Sequence, residues 1–182
     1  MRSDQLRLRT LILLRWMAIA GQVAAIAAAD IYYQMLLPIG LCYLAVGASV
    51  ITNLVASYVY PGTKRLSETE ALLTLMFDLT QLSLLVFLTG GLSNPFALLI
   101  LAPVTISATA LRLRTTVFLG GLAIALISFA ALMNVPLRFA DGRPLEIPQI
   151  FKFGFWLSIV VGILFLSLYA RQIGRASCRE RV

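Results

Sequence analysis

The amino-acid sequence predicts an all-α membrane protein with six transmembrane helices and both termini in the cytoplasm. Hydrophobic residues make up 60% of the 182 positions and charged residues 13%, and the mean hydropathy is +0.91. A soluble domain of this size could not cover so much apolar surface with polar side chains. The apolar residues form six runs close to the ~20 residues that a helix needs to cross a ~30 Å hydrocarbon core. We therefore expect this chain to fold in lipid.

The six runs define the predicted helices in chain order. Residues 1–10 form a short basic start without a small-residue cleavage site, so we expect a cytoplasmic N-terminus followed by a retained helix. Pro103 removes a backbone donor and predicts a kink in the middle of helix 4. The predicted helices cover residues 11–29, 38–58, 71–89, 95–111, 116–133 and 150–170. They form one transmembrane domain, residues 11–170.

Basic residues predict which side of the membrane each loop occupies. Loops 30–37 and 90–94 contain no Lys or Arg, whereas the start of the chain and the ends of helices 2, 4 and 6 carry Arg2, Arg7, Arg9, Lys64, Arg65, Arg112, Arg114 and Arg171. Because cytoplasmic loops are enriched in positive charge, this alternation predicts an outward-facing turn at 90–94. Loop 134–149 mixes Arg138 and Arg143 with Asp141 and Glu146, and we expect it to form a small lid on the outer surface.

Charge and residue types also exclude several functions. The formal net charge is +7, but the basic residues cluster between apolar runs, which is typical of membrane topology, so we expect no nucleic-acid partner. The chain has no histidine, which removes bis-His haem, His-ligated metals and an imidazole base. Cys42 and Cys178 cannot build a disulfide framework. We therefore predict neither a metal site nor a catalytic residue in this sequence.

The turn between helices 3 and 4 has the sequence GGLSNPF, residues 90–96. A glycine after a helix end adopts the left-handed conformation, and Asn94 followed by Pro95 is a helix N-cap with proline at the first helical position. Helix capping alone explains this pattern. A second interpretation is a ligand site, because Phe96 offers a ring face and Asn94 an amide donor to an apolar molecule with carbonyl oxygens, such as a quinone.

Asp78 is an ionisable residue at membrane depth in helix 3, with Gln81 on the same helix face. An unpaired charge in lipid costs several kcal/mol, so a partner is required. Arg15 lies within about 5 Å of the same depth in helix 1, by the rise of 1.5 Å per residue. We predict a structural Arg15–Asp78 ion pair, and a proton-relay role for Asp78 remains the alternative. That alternative corresponds to a small transporter or channel.

Three segments resemble a known family, the RegB/PrrB-type redox sensor histidine kinases. They are LRLRTLILLRWMAIAGQ (residues 6–22), FDLTQLSLLVFLTGGLSNPF (77–96) and LAPVTISATALR (101–112), of which GGLSNPF is the most specific. The resemblance covers residues 6–171 and implies a multi-pass sensor domain of the bacterial inner membrane. It also implies ubiquinone binding at the turn, which makes Gly90, Gly91, Asn94, Pro95 and Phe96 the candidate site residues.

The same resemblance implies partners and activities outside this sequence. In that family the membrane domain belongs to a homodimeric protein. The same protein has a histidine that is autophosphorylated and an ATP-binding lobe, and it passes phosphate to a response regulator. A respiratory oxidase is another candidate source of the signal. Because this sequence contains no histidine to accept the phosphate, we do not expect it to act as such a kinase by itself. A quinone-handling subunit of a respiratory enzyme is a further alternative, with the haem carried by a partner chain.

The last ten residues, IGRASCRERV (173–182), differ sharply in polarity from the preceding helix and have no period of helix or strand. They look like the translation of a sequencing-library adapter. We therefore expect a non-native tail, with residues 171–172 as the start of a cytoplasmic linker. Cys178 lies in this tail and is not assigned as the redox-responsive cysteine of the family.

Overall fold

A computed structural model of the protein describes residues 8–60, 64–145 and 147–179, with side chains described through Tyr169. These residues form six α-helices joined by short connections, with no β-strand among them. In chain order the helices are α1 (Leu8–Ile31), α2 (Ile39–Val59), α3 (Glu68–Leu88), α4 (Leu101–Ala110), α5 (Leu113–Leu132) and α6 (Gln149–Arg179). The prediction of an all-helical chain is confirmed. Arg2, Arg7 and Glu146 lie outside the described residues.

Within the described residues, five helices are long and apolar enough to cross a membrane, and the remaining apolar helix, Pro95–Ala110, is shorter. That shorter helix differs from the single α-helix predicted over 95–111. It begins as a 3-10 segment, Pro95–Ile100, and becomes α-helical only in α4. Pro103 therefore lies near the middle of the Pro95–Ala110 helix, as predicted, and in the first turn of its α-helical part. A proline ring clashes with the carbonyl four residues earlier, which favours the tighter 3-10 geometry before it.

Two ends of the bundle are defined by loop contacts. At one end, the Leu8 N–H donates to the Lys64 carbonyl at 3.1 Å, and Arg112 Nε lies 2.9 Å from the Glu68 carboxylate. At the other end, the Leu36 N–H donates to the Arg138 carbonyl at 2.8 Å. Lys64 and Arg112, which were predicted to share one side, thus lie at the same end of the bundle.

The start of α3 is set by a capping box. The Glu70 N–H donates to Ser67 Oγ at 3.3 Å, and the Ser67 N–H donates to Glu70 Oε2 at 2.8 Å. Each hydrogen bond satisfies a backbone donor that an uncapped helix would leave free. This cap fixes the point at which α3 begins, and so the depth of every residue along it.

The core lies among the last four helices. α3 packs against α5, and α6 packs against α4 and α5. Completely buried aliphatic side chains fill this region, including Leu75, Leu79, Ile100, Leu119 and Ile159. α1 and α2 form a hairpin that packs on α3 mainly through α2. α1 therefore faces α3 across a gap in which the candidate site lies.

Residues 173–179 continue α6 in the structure, although their sequence has no helical period. Residues 180–182, the end of the predicted non-native tail, lie outside the described residues.

Candidate ligand cavity between helices 1 and 3

A cavity of about 400 Å³ lies between α1, α3 and the 3-10 segment. Its walls come from residues 22–29 of α1, residues 82–89 of α3 and its C-cap, and residues 93–99, together with Tyr33, Met35 and Leu37 of the α1–α2 connection and Leu137 and Leu145 of the loop before α6. The volume is within the ~300–1,000 Å³ range typical of small-molecule sites. Most of the lining is aliphatic, with a few polar groups at defined positions.

Gly90 and Gly91 shape the turn behind the cavity wall. Both have left-handed backbones, with φ of 93° and 58°, as predicted for glycine after a helix end. A Cβ on Gly90 would stand 2.6 Å from Leu137 Cδ1, and one on Gly91 would stand 2.5 Å from the Ala130 carbonyl oxygen. The two glycines therefore allow α5 and loop 134–145 to pack directly on the turn.

Asn94 has the predicted capping role and also makes a second contact. Its Oδ1 accepts a hydrogen bond from the Phe96 N–H at 2.9 Å, and its Nδ2 donates to Thr89 Oγ1 at 2.6 Å. The Thr89 hydroxyl in turn donates to the Leu85 carbonyl at 2.6 Å. A primary amide has two N–H groups, so the Asn94 amide keeps one donor for a ligand.

The structure brings three of the five sequence-predicted site residues to the cavity, namely Asn94, Pro95 and Phe96. The Phe96 side chain is half-buried, with 47% of the residue exposed. Its ring therefore faces both the cavity and the surface of the bundle. That position can place an aromatic face beside a ligand while leaving a path to the surrounding lipid.

Loop 134–145 forms a lid over this end of the cavity. The Val135 N–H donates to the Phe87 carbonyl at 3.0 Å, and Met35 pairs with Phe139 in an isolated antiparallel bridge. The buried Leu137 side chain packs on the turn and lines the cavity. The lid thus ties together the α1–α2 connection, the end of α3 and the GGLSNPF turn.

The predicted ion pair between α1 and α3 is confirmed. Arg15 Nη2 donates to Asp78 Oδ2 at 3.0 Å and lies 2.8 Å from Oδ1. Arg15 is buried, with 8% of the residue exposed, and its guanidinium lies 5.7 Å from the centre of the Phe77 ring. Since both carboxylate oxygens contact the same guanidinium nitrogen, the arrangement favours a structural clamp between helices.

Sequence reasoning missed several residues of the cavity. Gln22 lines its inner end, Thr89 and Ser93 lie beside Asn94, and Leu137 belongs to the lid. Gln22 follows Arg15 by seven residues, which is two helical turns and places both on one face of α1. The available signal was that Gln81 follows Asp78 by three residues and so also shares one face of α3 with it, which places an amide near the charged residue on both helices.

These features define a multi-pass helical membrane domain with an internal, ligand-sized cavity. The family model of the PilS-like transmembrane domain matches residues 6–160, and the chain belongs to that family. It is 63% identical over 172 residues to a sensor histidine kinase RegB from Cereibacter sphaeroides, covering 94% of this chain and 37% of the relative. A second RegB from the same species is 64% identical over 172 residues, with the same coverage.

The predicted resemblance to RegB-type sensor kinases is confirmed by these matches. The chain spans 37% of the length of the curated relatives that it matches. No solved structure matches the chain. The apolar spans, the family and the relatives together identify a multi-pass protein of the bacterial inner membrane.

Proposed function

We propose that this chain is the membrane-embedded sensor domain of a histidine kinase and that it responds to the redox state of ubiquinone bound between α1 and α3. The observation that carries the proposal is the 400 Å³ cavity, whose wall includes Asn94, Pro95 and Phe96. Both relatives are sensor histidine kinases by name, so we assign a kinase lobe with its ATP site, and a response regulator as its partner, to the full-length protein.

The chemistry of the cavity suits a quinone. An apolar lining accommodates the ring, the Phe96 face can stack on it, and the remaining Asn94 N–H can donate to a carbonyl oxygen. Phe96 and Leu99 line the cavity and are also exposed on the bundle surface. An isoprenoid tail can therefore leave between them into the bilayer while the headgroup stays inside.

The proposed topology has six spans with both ends in the cytoplasm. The Pro95–Ala110 helix has six residues in 3-10 geometry followed by ten in α geometry, which gives a length of roughly 27 Å at rises of about 2.0 and 1.5 Å per residue. That length is close to the ~30 Å hydrocarbon core. Lys64 and Arg112 then face the cytoplasm, because basic loops stay inside, and the cavity opens in the outer half of the membrane.

A change in cavity occupancy can affect α6, the last helix of the domain, through direct packing contacts. The 3-10 turn Gly91–Ser93, which adjoins Asn94, packs against α6. Oxidised and reduced quinone differ in hydrogen bonding, so binding them with different affinity shifts the equilibrium between two packing arrangements. We assign α6 the role of passing that shift to the cytoplasmic side of a homodimer. Transport or conduction through Asp78 has less support, since its carboxylate is bonded to Arg15.

The test is ligand binding by the purified chain in lipid nanodiscs. Ubiquinone with a single isoprene unit is the probe, and Asn94→Ala and Phe96→Ala are the variants. We expect saturable binding to the wild type and a loss of roughly five- to tenfold in each variant, which is the size of one net hydrogen bond or ring contact. Phe118→Ala, at an exposed phenylalanine of α5, is the matched control. Equal affinities in all four proteins would contradict the site.

A further inference from the structure

Two buried glutamines join α1 and α3 at the inner end of the cavity. Gln81 Nε2 donates to Gln22 Oε1 at 3.0 Å, and Gln22 Nε2 donates to Gln81 Oε1 at 3.4 Å. Each residue is 7% exposed. Gln22 lines the 400 Å³ cavity and also a smaller one of about 150 Å³, whereas Gln81 lies at the smaller cavity, beside Arg15 and Asp78. The Gln22 amide therefore stands between the two cavities.

The two hydrogen bonds leave Gln22 with spare donor capacity. A good N–H···O hydrogen bond is about 2.7–3.2 Å long, so the 3.0 Å bond to the Gln22 oxygen is well formed and the 3.4 Å bond from its nitrogen is weak. The Gln22 amide has two N–H groups, and one of them makes only that weak bond. Gln22 can consequently donate to a ligand in the larger cavity while Gln81 still holds its oxygen.

The spacing of the polar groups matches a particular ligand geometry. Gln81, which holds Gln22, and Thr89, which holds Asn94, are eight residues apart on α3, a rise of roughly 12 Å. The two oxygens of a para-quinone lie about 5 Å apart across the ring, and each accepts a hydrogen bond of about 2.9 Å, so donors on opposite sides stand roughly 11 Å apart. The partners of Gln22 and Asn94 are thus spaced by a rise close to the separation of two donors around one quinone ring, and both Gln22 and Asn94 line the same cavity.

We propose that Gln22 is the inner hydrogen-bond donor to the headgroup of a para-quinone whose other oxygen is bound by Asn94. The inference rests on the proposed quinone function and adds a second contact, more than two helical turns deeper than the GGLSNPF turn. Donors at both ends suit carbonyl oxygens, which only accept hydrogen bonds. They suit the hydroxyl groups of a quinol less well, because each hydroxyl also needs an acceptor. Gln22 thereby contributes to a preference for the oxidised form.

The test compares Gln22→Met with Gln81→Met in nanodiscs, using the one-isoprene ubiquinone and, under anaerobic conditions, its reduced form. Both variants break the same α1–α3 amide pair, but only Gln22→Met removes the donor at the larger cavity. We expect Gln22→Met to weaken binding of the oxidised form roughly five- to tenfold, the effect of one net hydrogen bond, and to change binding of the reduced form less than about twofold. We expect Gln81→Met to stay within about twofold of the wild type for both forms.

Each outcome has one meaning. Equal losses in the two variants would show that the glutamine pair only packs the helices, and unchanged affinity in Gln22→Met would show that the ligand does not reach it; both results overturn the role of Gln22. A wild-type chain that binds no quinone contradicts the proposed function itself. Circular dichroism and the midpoint of thermal unfolding, measured on each variant, establish that the proteins compared are folded.

Discussion

Leu137 packs directly against the bare backbone of Gly90, so close that a Cβ on the glycine would stand 2.6 Å from Leu137 Cδ1. The contact joins the lid to the turn that follows α3, and both flank the cavity. Position 90 therefore favours glycine for two separate reasons. Its backbone is left-handed, and a side chain there would collide with Leu137. The two reasons can be separated experimentally.

We predict that Gly90→Ala destabilises the domain more than Gly142→Ala does. Gly142 also has a positive φ, 84°, but a Cβ there meets open space among the described residues. Left-handed strain alone costs of the order of 1–3 kcal/mol, and Gly90→Ala adds the collision with Leu137. The midpoint of thermal unfolding in detergent measures the difference, and Gly90→Ala combined with Leu137→Ala should recover part of it. Equal losses at the two glycines would contradict the packing role.

The Arg15–Asp78 pair should behave as a buried clamp. Replacing one partner leaves a buried charge uncompensated, so we predict that Arg15→Leu and Asp78→Leu each lower the free energy of unfolding by about 3–5 kcal/mol, while the double variant is markedly more stable than either. A double-mutant cycle from equilibrium unfolding measures the coupling. Arg143→Gln, which breaks the exposed pair with Asp141, is the control and should change stability little. Additive losses in the cycle would argue against the clamp.

Membrane topology can be tested by labelling engineered cysteines. In a Cys178→Ser background, we predict that Tyr32→Cys reacts with a membrane-impermeant maleimide in intact spheroplasts, and that Arg65→Cys reacts only after permeabilisation. Both positions are exposed and lie at opposite ends of the bundle, and Cys42 is buried. The reverse labelling pattern would place the cavity in the cytoplasmic half of the membrane and contradict the assigned orientation.

Parts of this arrangement follow from local rules and were predictable. Lipid forces an ionisable residue to find a partner, so Asp78 at a known depth pointed to Arg15. Asn94 before Pro95 specifies a helix N-cap by short-range chemistry alone. The lengths of the apolar runs determined the number and approximate bounds of the helices.

Other parts depend on tertiary packing that sequence spacing does not encode. Gln22 is a neutral side chain, so its burial imposes no unique partner, and its pairing with Gln81 depends on how α1 faces α3. The position of Leu137 over Gly90 depends on the path of a loop some 45 residues further along the chain. The apolar pattern of helix 4 does not reveal the 3-10 geometry of Pro95–Ile100, because that pattern does not distinguish 3-10 from α-helical backbone.

Asn94→Asp should separate the capping role of Asn94 from its ligand role. An aspartate keeps the oxygen that accepts from the Phe96 N–H and favours a helix N-terminus, but it removes both amide donors. We therefore predict a free energy of unfolding lowered by only about 1 kcal/mol, the net value of the lost Asn94–Thr89 hydrogen bond, and quinone affinity reduced roughly five- to tenfold. The free energy of unfolding and the quinone affinity in nanodiscs, both measured on the same preparation of each protein, provide the comparison between Asn94→Asp and the wild type. Unchanged quinone affinity would leave Asn94 with the capping role alone.

The most direct test of a quinone in this cavity is photo-crosslinking with an azido-ubiquinone, followed by peptide mapping by mass spectrometry. We predict that the label attaches to residues 22–29, 82–89 or 93–99, that excess ubiquinone suppresses the labelling, and that Phe96→Ala reduces it. Label that ubiquinone does not suppress, or that is confined to the exposed faces of α2 and α6, would contradict it.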